Sequence, residues 1–245
     1  MNTARLQRIR EEEKQYHEDC FEQHRLYNKG SWLDKPIPLI MELVKLIDHK
    51  HPLSILDLGC GVGRNSIPLA QWLKSSLGHV HGVDLLDLAL EKLHTYSKEF
   101  RVEHLISTEQ ADISTYKIPP NSYDYILAAS SLEHVKSDTA FKQVLRRMAE
   151  GTKPGGINFI LMNTNIEEFN RQTGRKRETL IEVVMPKENA LAILQANYEG
   201  WEQLHLSDTP MRLDITRHEV PVILQADSLT YVVKQPNKSR MPPPY

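Results

Sequence analysis

Three glycines, Gly59, Gly61 and Gly63, stand at alternate positions in "ILDLGCGVGRNSIPLA", residues 55–70, between an apolar run and a stretch that reads as helix. Lacking a Cβ, such a loop turns sharply and lets a ligand approach the main chain. Two carboxylates frame it: Asp57, two places before the first glycine, and Asp84, near the end of the next apolar run, "HVHGVDL". A dinucleotide fingerprint, G-x-G-x-x-G, needs glycine where this chain has Arg64, and a carboxylate at Asp57 repels a pyrophosphate. The loop better suits a ligand with a cationic amine, held directly or through water. A plain tight turn between strand and helix uses the same glycines, so the loop alone does not decide.

The flanking elements narrow the choice. Pro68 would break a helix interior but fits a first turn, so with Asn65 or Ser66 as cap the loop runs through Arg64. Strand-like runs "LSILDLG", "HVHGVDL", "VEHLIST", "YDYILAA" and "INFILMN" alternate with helical stretches, clearest in "DLALEKLHTYSKEF" and "TAFKQVLRRMAEG". That rhythm predicts βαβ units, and so a doubly wound α/β sheet with helices on both faces. Ahead of it, residues 3–28 read as a long, partly exposed helix ending near Gly30, followed by irregular "SWLDKPIP" and helical "LIMELVKLIDHK". Beyond residue 163 a polar insert, "EEFNRQTGRKRETLIEVV", precedes a short helix, "PKENALAILQAN", and two strands, "WEQLHLS" and "SLTYVVKQ". The expected organisation is an N-terminal helical extension or lid over residues 1–50, a core over 51–236 and a loose Pro-rich tail over 237–245.

From residue 54 to residue 163 the chain resembles, in register, the class I S-adenosylmethionine-dependent methyltransferases. The resemblance implies a Rossmann-like seven-stranded sheet whose last strand, "SLTYVVKQ", is antiparallel. It implies S-adenosylmethionine as cofactor and S-adenosylhomocysteine as product. Asp57, Gly59, Cys60, Gly61, Gly63, Arg64 and Asn65 then make the cofactor loop, and Asp84, with Leu85 beside it, binds both ribose hydroxyls. Asp112 and Ile113 of "QADI" address the adenine, and Ala129 and Ser130 of "YDYILAASSLEHV" lie beside the methionine moiety and methyl group. Lys153 to Gly156 match the "KPGG" turn before the fifth strand. One departure is a slightly long stretch between the glycine loop and Asp84. Within the family, "LDLGCGVGRNS" most resembles small-molecule enzymes of the tellurite-resistance and thiopurine type.

Methyl transfer from a sulfonium is an in-line displacement on an activated donor, so collinear holding matters more than catalytic side chains. His134, after the fourth strand, is the candidate general base, set against a structural or cofactor-shaping role. Glu133 reads as a helix-start acid, and Ser130 and Ser131 as pocket lining. Trp32, Tyr27 and Tyr16 precede the core, where aromatics can cover a sulfonium or pack the first helix; Trp32 is the expected cofactor contact and "YNKGSWLDKP" the lid segment. His79 and His81 share a strand face without a second ligand cluster, so no metal site is expected. Arg175, Lys176 and Arg177 read as a solvated loop ahead of an anion site, and "PPPY" stands in the wrong place for an amino-methylating motif.

Composition sets the outer limits. The 245 residues suit one substantial α/β core, and 30 Lys+Arg against 32 Asp+Glu leave a net charge of −2, with no basic excess to recommend nucleic acid. No apolar run approaches a bilayer span, the N-terminus is too charged for a secretory signal, and Cys20 and Cys60 suggest no disulfide framework. A cytoplasmic location without a membrane partner is the expectation, as monomer or homodimer. The leading expectation is a methyltransferase acting on a small-molecule acceptor, whose specificity lies in residues 166–187 and 207–227. The alternatives are a non-catalytic S-adenosylmethionine sensor or partner subunit, a protein or RNA methyltransferase, and, more distantly, a nicotinamide oxidoreductase.

Overall fold

A computed structural model describes residues 3–48, 51–75 and 78–237. Its helices are α1 (Thr3–Gln23), α2 (Pro38–Leu43), α3 (Ser66–Leu73), α4 (Asp87–Glu99), α5 (Asp138–Gly151) and α6 (Lys187–Asn197). Its strands are β1 (Ser54–Leu58), β2 (His79–Asp84), β3 (Ile106–Gln110), β4 (Tyr123–Ala129), β5 (Thr152–Asn170), β6 (Lys176–Arg177), β7 (Glu202–Arg217) and β8 (Val220–Lys234). The motif "PPPY", almost all of the expected tail and the end of "LIMELVKLIDHK" lie outside the described residues.

Strands lie in the order β3-β2-β1-β4-β5-β8-β7, and the two-residue β6 pairs with β5 off that path. The first five are parallel, and β8 runs antiparallel to both β5 and β7. The doubly wound sheet with an antiparallel last strand is thus the observed fold. Central strands such as β1 and β4 are buried almost throughout, as strands covered on both faces must be. One apolar layer packs Ile40, Leu69 and Leu93 against the sheet, and the other packs Phe141, Val144 and Leu194. The chain reverses its winding between β1 and β4, and the crevice beyond the carboxyl ends of those strands is where such sheets bind ligands.

The first helix stops at Gln23, earlier than expected, and Tyr27, at φ 65°, and Gly30, at φ 118°, turn the chain back. Burial of Leu26 and a bond from the Tyr27 N–H to the Leu33 carbonyl at 2.9 Å favour the turn over another helical residue. The C-terminal third differs more. β5 runs for 19 residues into the expected polar insert, and residues 207–227 belong to a long hairpin of β7 and β8. His218 and Glu219 both take positive φ at its tip, 47° and 63°, as a two-residue turn between twisted strands requires. Two prolines, Pro210 and Pro221, fall within these strands. Pro210 is tolerated because β7 is an edge strand, and Pro221 because it sits at the start of β8, beside the hairpin turn.

Candidate functional site

A cavity of about 410 Å³ opens at the carboxyl ends of β1, β2 and β4, roofed by α1 and walled by the β7–β8 hairpin. Its polar end contains the glycine loop. The three glycines there do three different things. A Cβ on Gly59 would meet Ser131 Cβ at 2.4 Å, and one on Gly63 would meet Leu93 Cδ1 at 2.3 Å, so these two let the loop pack. A Cβ on Gly61 would point into the cavity, where its nearest neighbour is Phe21 of α1 at 3.8 Å, and its φ of +52° disfavours any side chain. Gly61 therefore presents bare backbone to the cavity. Its N–H donates to Asp84 Oδ2 at 2.7 Å, and the Leu86 N–H donates to Oδ1 at 2.9 Å. Burial raises Asp84 against the pull of these bonds.

Of the expected cofactor residues, Gly59, Cys60, Gly61, Arg64, Asn65, Asp84, Leu85, Asp112, Ile113, Ala129, Ser130 and Trp32 all line the cavity. Asp57 and Gly63 do not. The Asp57 carboxyl lies beneath the loop and accepts from Ser66 Oγ at 2.6 Å, and burial pushes its pKa up to about 7. The expected contact between Asp57 and a ligand amine is replaced by an anchor for the start of α3. Asn65 occupies the cap position of α3 but turns its Oδ1 to the Ile37 N–H at 3.1 Å, tying down the segment before α2. Pro68 does fall in the first turn of α3. Ser130 takes φ 54° and its N–H reaches the Leu161 carbonyl at 2.7 Å, which carries the chain over the cavity edge.

Trp32 both lines the cavity and packs, with the Arg64 guanidinium 5.7 Å over its ring and Phe21 edge-on at 6.1 Å. Tyr16 also lines the cavity, whereas Tyr27 lies outside it, donating to the Arg64 carbonyl at 3.0 Å. Arg175, Lys176 and Arg177 are not part of the lining; Lys176 pairs with Glu167 on the surface. His79 and His81 share one partner, Ser107 Oγ, at 2.7 Å each.

His134 closes a short turn after β4, and its Nδ1 faces Glu182 Oε2 at 3.2 Å and Glu13 Oε2 at 3.7 Å. Burial would lower its pKa, but Glu13, Glu182 and Glu133 outweigh it and push it up to about 9. That shift favours the protonated ring over the free imidazole that the expected general base at His134 needs. Glu133 is buried and holds Asn163 through the backbone N–H at 3.2 Å and the side-chain amide at 2.8 Å. Burial raises its pKa.

The apolar end of the cavity, with Ile166, Ile181, Met211, Leu213, Ile215 and Leu224, comes from β5, the loop after β6 and the hairpin. Between the two ends runs a belt of charge from α1, the loop after β6 and the hairpin: Arg10, Glu13, His17, Glu182 and Arg217. The sequence reading did not assign these five to the site. On α1 they looked like a solvated charged face, and the one available signal was Glu13 and His17 at helical i,i+4 spacing.

Residues 55–156 match a family described as "Methyltransferase domain". A ubiquinone biosynthesis O-methyltransferase from Hydrogenovibrio crunogenus is 32% identical over 141 residues, covering 56% of this chain and 54% of that protein. The chain spans about half or less of the length of the curated relatives it matches. Among solved structures, TehB from Haemophilus influenzae superposes with a TM-score of 0.60 at 21% identity, covering 81% of this chain and 62% of that one. A Burkholderia thailandensis 1,6-didemethyltoxoflavin-N1-methyltransferase, solved with 1,6-didemethyltoxoflavin and S-adenosylhomocysteine, gives 0.57 at 14% identity, covering 96% of this chain and 89% of that one. Among the described residues no helix is long and apolar enough to cross a membrane.

Proposed function

We propose, from the premise that residues 55–156 are a class I S-adenosylmethionine-dependent methyltransferase domain, that this chain transfers a methyl group to a small-molecule acceptor. The observation that carries the reading is Gly61, bare toward the cavity with its N–H on Asp84. A nucleoside whose ribose lies against Asp84 meets no Cβ there, and the remaining lone pairs of that carboxylate are free to accept its hydroxyls.

When bound, S-adenosylmethionine supplies a methyl group already activated for displacement on a sulfonium. Asp112 and Ile113 would face the adenine, and Ala129, Ser130 and Trp32 the opposite end. The hairpin and Ile166 would hold an acceptor with substantial apolar surface, and α1 would exclude water from above. Fixing the reacting atoms in line can account for about 7–11 kcal/mol of the barrier. An acceptor whose nucleophilic atom arrives already deprotonated needs no general base.

Isothermal titration of the purified chain with S-adenosylmethionine, S-adenosylhomocysteine and NAD, followed by a turnover assay over a panel of small acceptors, tests this. Binding of the two adenosyl ligands alone, with product formed on at least one acceptor, is the expected result. A folded chain that binds none of them overturns the reading; binding without turnover across the panel favours a sensor or partner subunit.

A further inference from the structure

Glu13 and His17 of α1 and His134 of the turn after β4 each direct one ligand atom to a shared space, and these atoms all lie within 4.8 Å of one another. Glu13 Oε2 is 3.7 Å from Nδ1 of His17 and 3.7 Å from Nδ1 of His134, beyond hydrogen-bond range. Zinc-like ions hold imidazole nitrogen and carboxylate oxygen at about 2.0–2.2 Å, which sets tetrahedral ligands roughly 3.3–3.5 Å apart. The Glu13 carboxylate needs to close on each ring by only a few tenths of an ångström, and the two rings, whose ligand atoms lie within 4.8 Å, by about an ångström at most.

We propose that Glu13, His17 and His134 form a binding site for a divalent transition-metal ion, of zinc or cobalt type, at the contact between the roof helix and the cavity floor. Two imidazoles and one carboxylate suit such an ion, whereas magnesium and calcium favour all-oxygen sets. The ligands are supported from behind. Arg217 holds Oε1 of Glu13, which leaves Oε2 to face the two rings. The Glu13 carbonyl holds Nδ1 of His17 at 2.8 Å and Glu182 holds Nδ1 of His134 at 3.2 Å, and these are the outer partners of a metal-ligating histidine when the opposite ring nitrogen binds the ion. An Nδ1 that faces an oxygen acceptor carries a proton, so the ion either displaces that proton to solvent or binds through the opposite ring nitrogen. The positive charge of Arg217 beside the site is offset by Glu168.

Three protein ligands leave a coordination position for water or for a heteroatom of a small molecule in the cavity. The same ion would fasten α1 to the turn after β4. It would therefore couple metal binding to closure of the roof. This inference does not depend on methyl transfer, because Gly61, Asp84 and Asp112 take no part in it.

The test uses the full chain, stripped with a chelator and titrated with Co²⁺ while visible absorption is recorded, then with Zn²⁺ against a chromophoric chelator. Amide exchange in α1 is followed before and after loading. The expected result is one ion per chain, a cobalt spectrum of low coordination number and slower exchange in α1. His17→Asn and His134→Asn should each weaken binding on the order of tenfold or more, and His79→Asn should not. Absence of stoichiometric binding in a chain that folds normally overturns the proposal. So does binding that both His17→Asn and His134→Asn leave unchanged.

Discussion

Arg10, on the helix that roofs the cavity, donates to Asp112 Oδ2 at 2.7 Å while the Ser114 N–H holds Oδ1 at 2.8 Å. Burial alone would raise Asp112, but these bonds keep its carboxyl below the usual range. The residue expected to meet the adenine is thereby tied to the roof. Other ion pairs hold the same stretch of α1, Arg5 and Arg8 on Glu178, His218 contacts Glu12, and Ile9 is the buried aliphatic residue among them. Such partly exposed pairs contribute about 1 kcal/mol or less each. Arg10→Ala should therefore speed dissociation of S-adenosylhomocysteine up to about fivefold and increase amide exchange in α1. Stopped-flow release at an unchanged rate would show that the roof does not retain the cofactor.

Asp84 is the second point of attachment. Asp84→Ala removes the acceptor for the Gly61 N–H and any bonds to ribose hydroxyls, and bonds to a charged group are each worth about 1.5–3 kcal/mol. The dissociation constant for S-adenosylmethionine should rise about 100-fold or more, while circular dichroism keeps its shape. Titration showing affinity within a factor of three of wild type would remove Asp84 from the site.

Gly61 and Gly63 separate cofactor access from packing. Gly61→Ala adds a methyl toward open cavity in a left-handed conformation, at about 1–2 kcal/mol of backbone strain. Gly63→Ala has the same strain and also drives a Cβ to 2.3 Å from Leu93 Cδ1. The expected pattern is lost cofactor binding with a small drop in melting temperature for Gly61→Ala, and a larger drop for Gly63→Ala. The reverse order, measured by thermal unfolding beside titration, would contradict the roles assigned to the two positions.

How far these elements could be read without coordinates depends on how local their causes are. The alternation from β1 to β5, the turn at Gly61 and the acid at Asp84 follow from neighbouring residues, and the order of these elements was legible, although β3 starts later and β5 runs longer than expected. The hairpin did not. Met211, Leu213 and Ile215 alternate with polar neighbours, but Pro210 and Pro221 interrupt the two strands and Ile223 between Val222 and Leu224 hides the period of two in β8. The charge belt was least legible. Glu13 is buried only because Arg217, distant in sequence, arrives beside it, and Asp57 is turned from the ligand only because Ser66 takes its carboxylate.

Asp57 gives the chain a pH signature. Its folded pKa, raised by burial to about 7 from 3.8, means that between these values the folded chain binds more protons than the unfolded one. Stability therefore falls as pH rises through that window, by an amount on the order of 2–4 kcal/mol, and levels off above it. Asp57→Asn keeps an acceptor for Ser66 Oγ and cannot ionise. The variant should be more stable than wild type at pH 8, with the gap closing toward pH 4. Denaturant unfolding curves that stay parallel between the two chains across that range would show that Asp57 is ionised in the folded state.

Arg217 joins the roof to the hairpin. Its Nη2 donates to Glu13 and, at 3.2 Å, to Glu168, and the side chain is 1% exposed. Its buried Nε and Nη1 have no hydrogen-bond partner among the described residues. Arg217→Met removes the guanidinium shared by two buried carboxylates, leaving Glu13 with only the two histidines beside it, and breaking such buried pairs costs about 3–5 kcal/mol. At this chain length the melting temperature should fall by roughly 10 °C. If uncompensated charge is the cause, adding Glu13→Gln and Glu168→Gln to Arg217→Met should restore more than half of that loss. A triple variant that melts no higher than the single one would assign the loss to the shape of the guanidinium, and Arg217 would then act as a packing element of the roof, not as its ionic anchor.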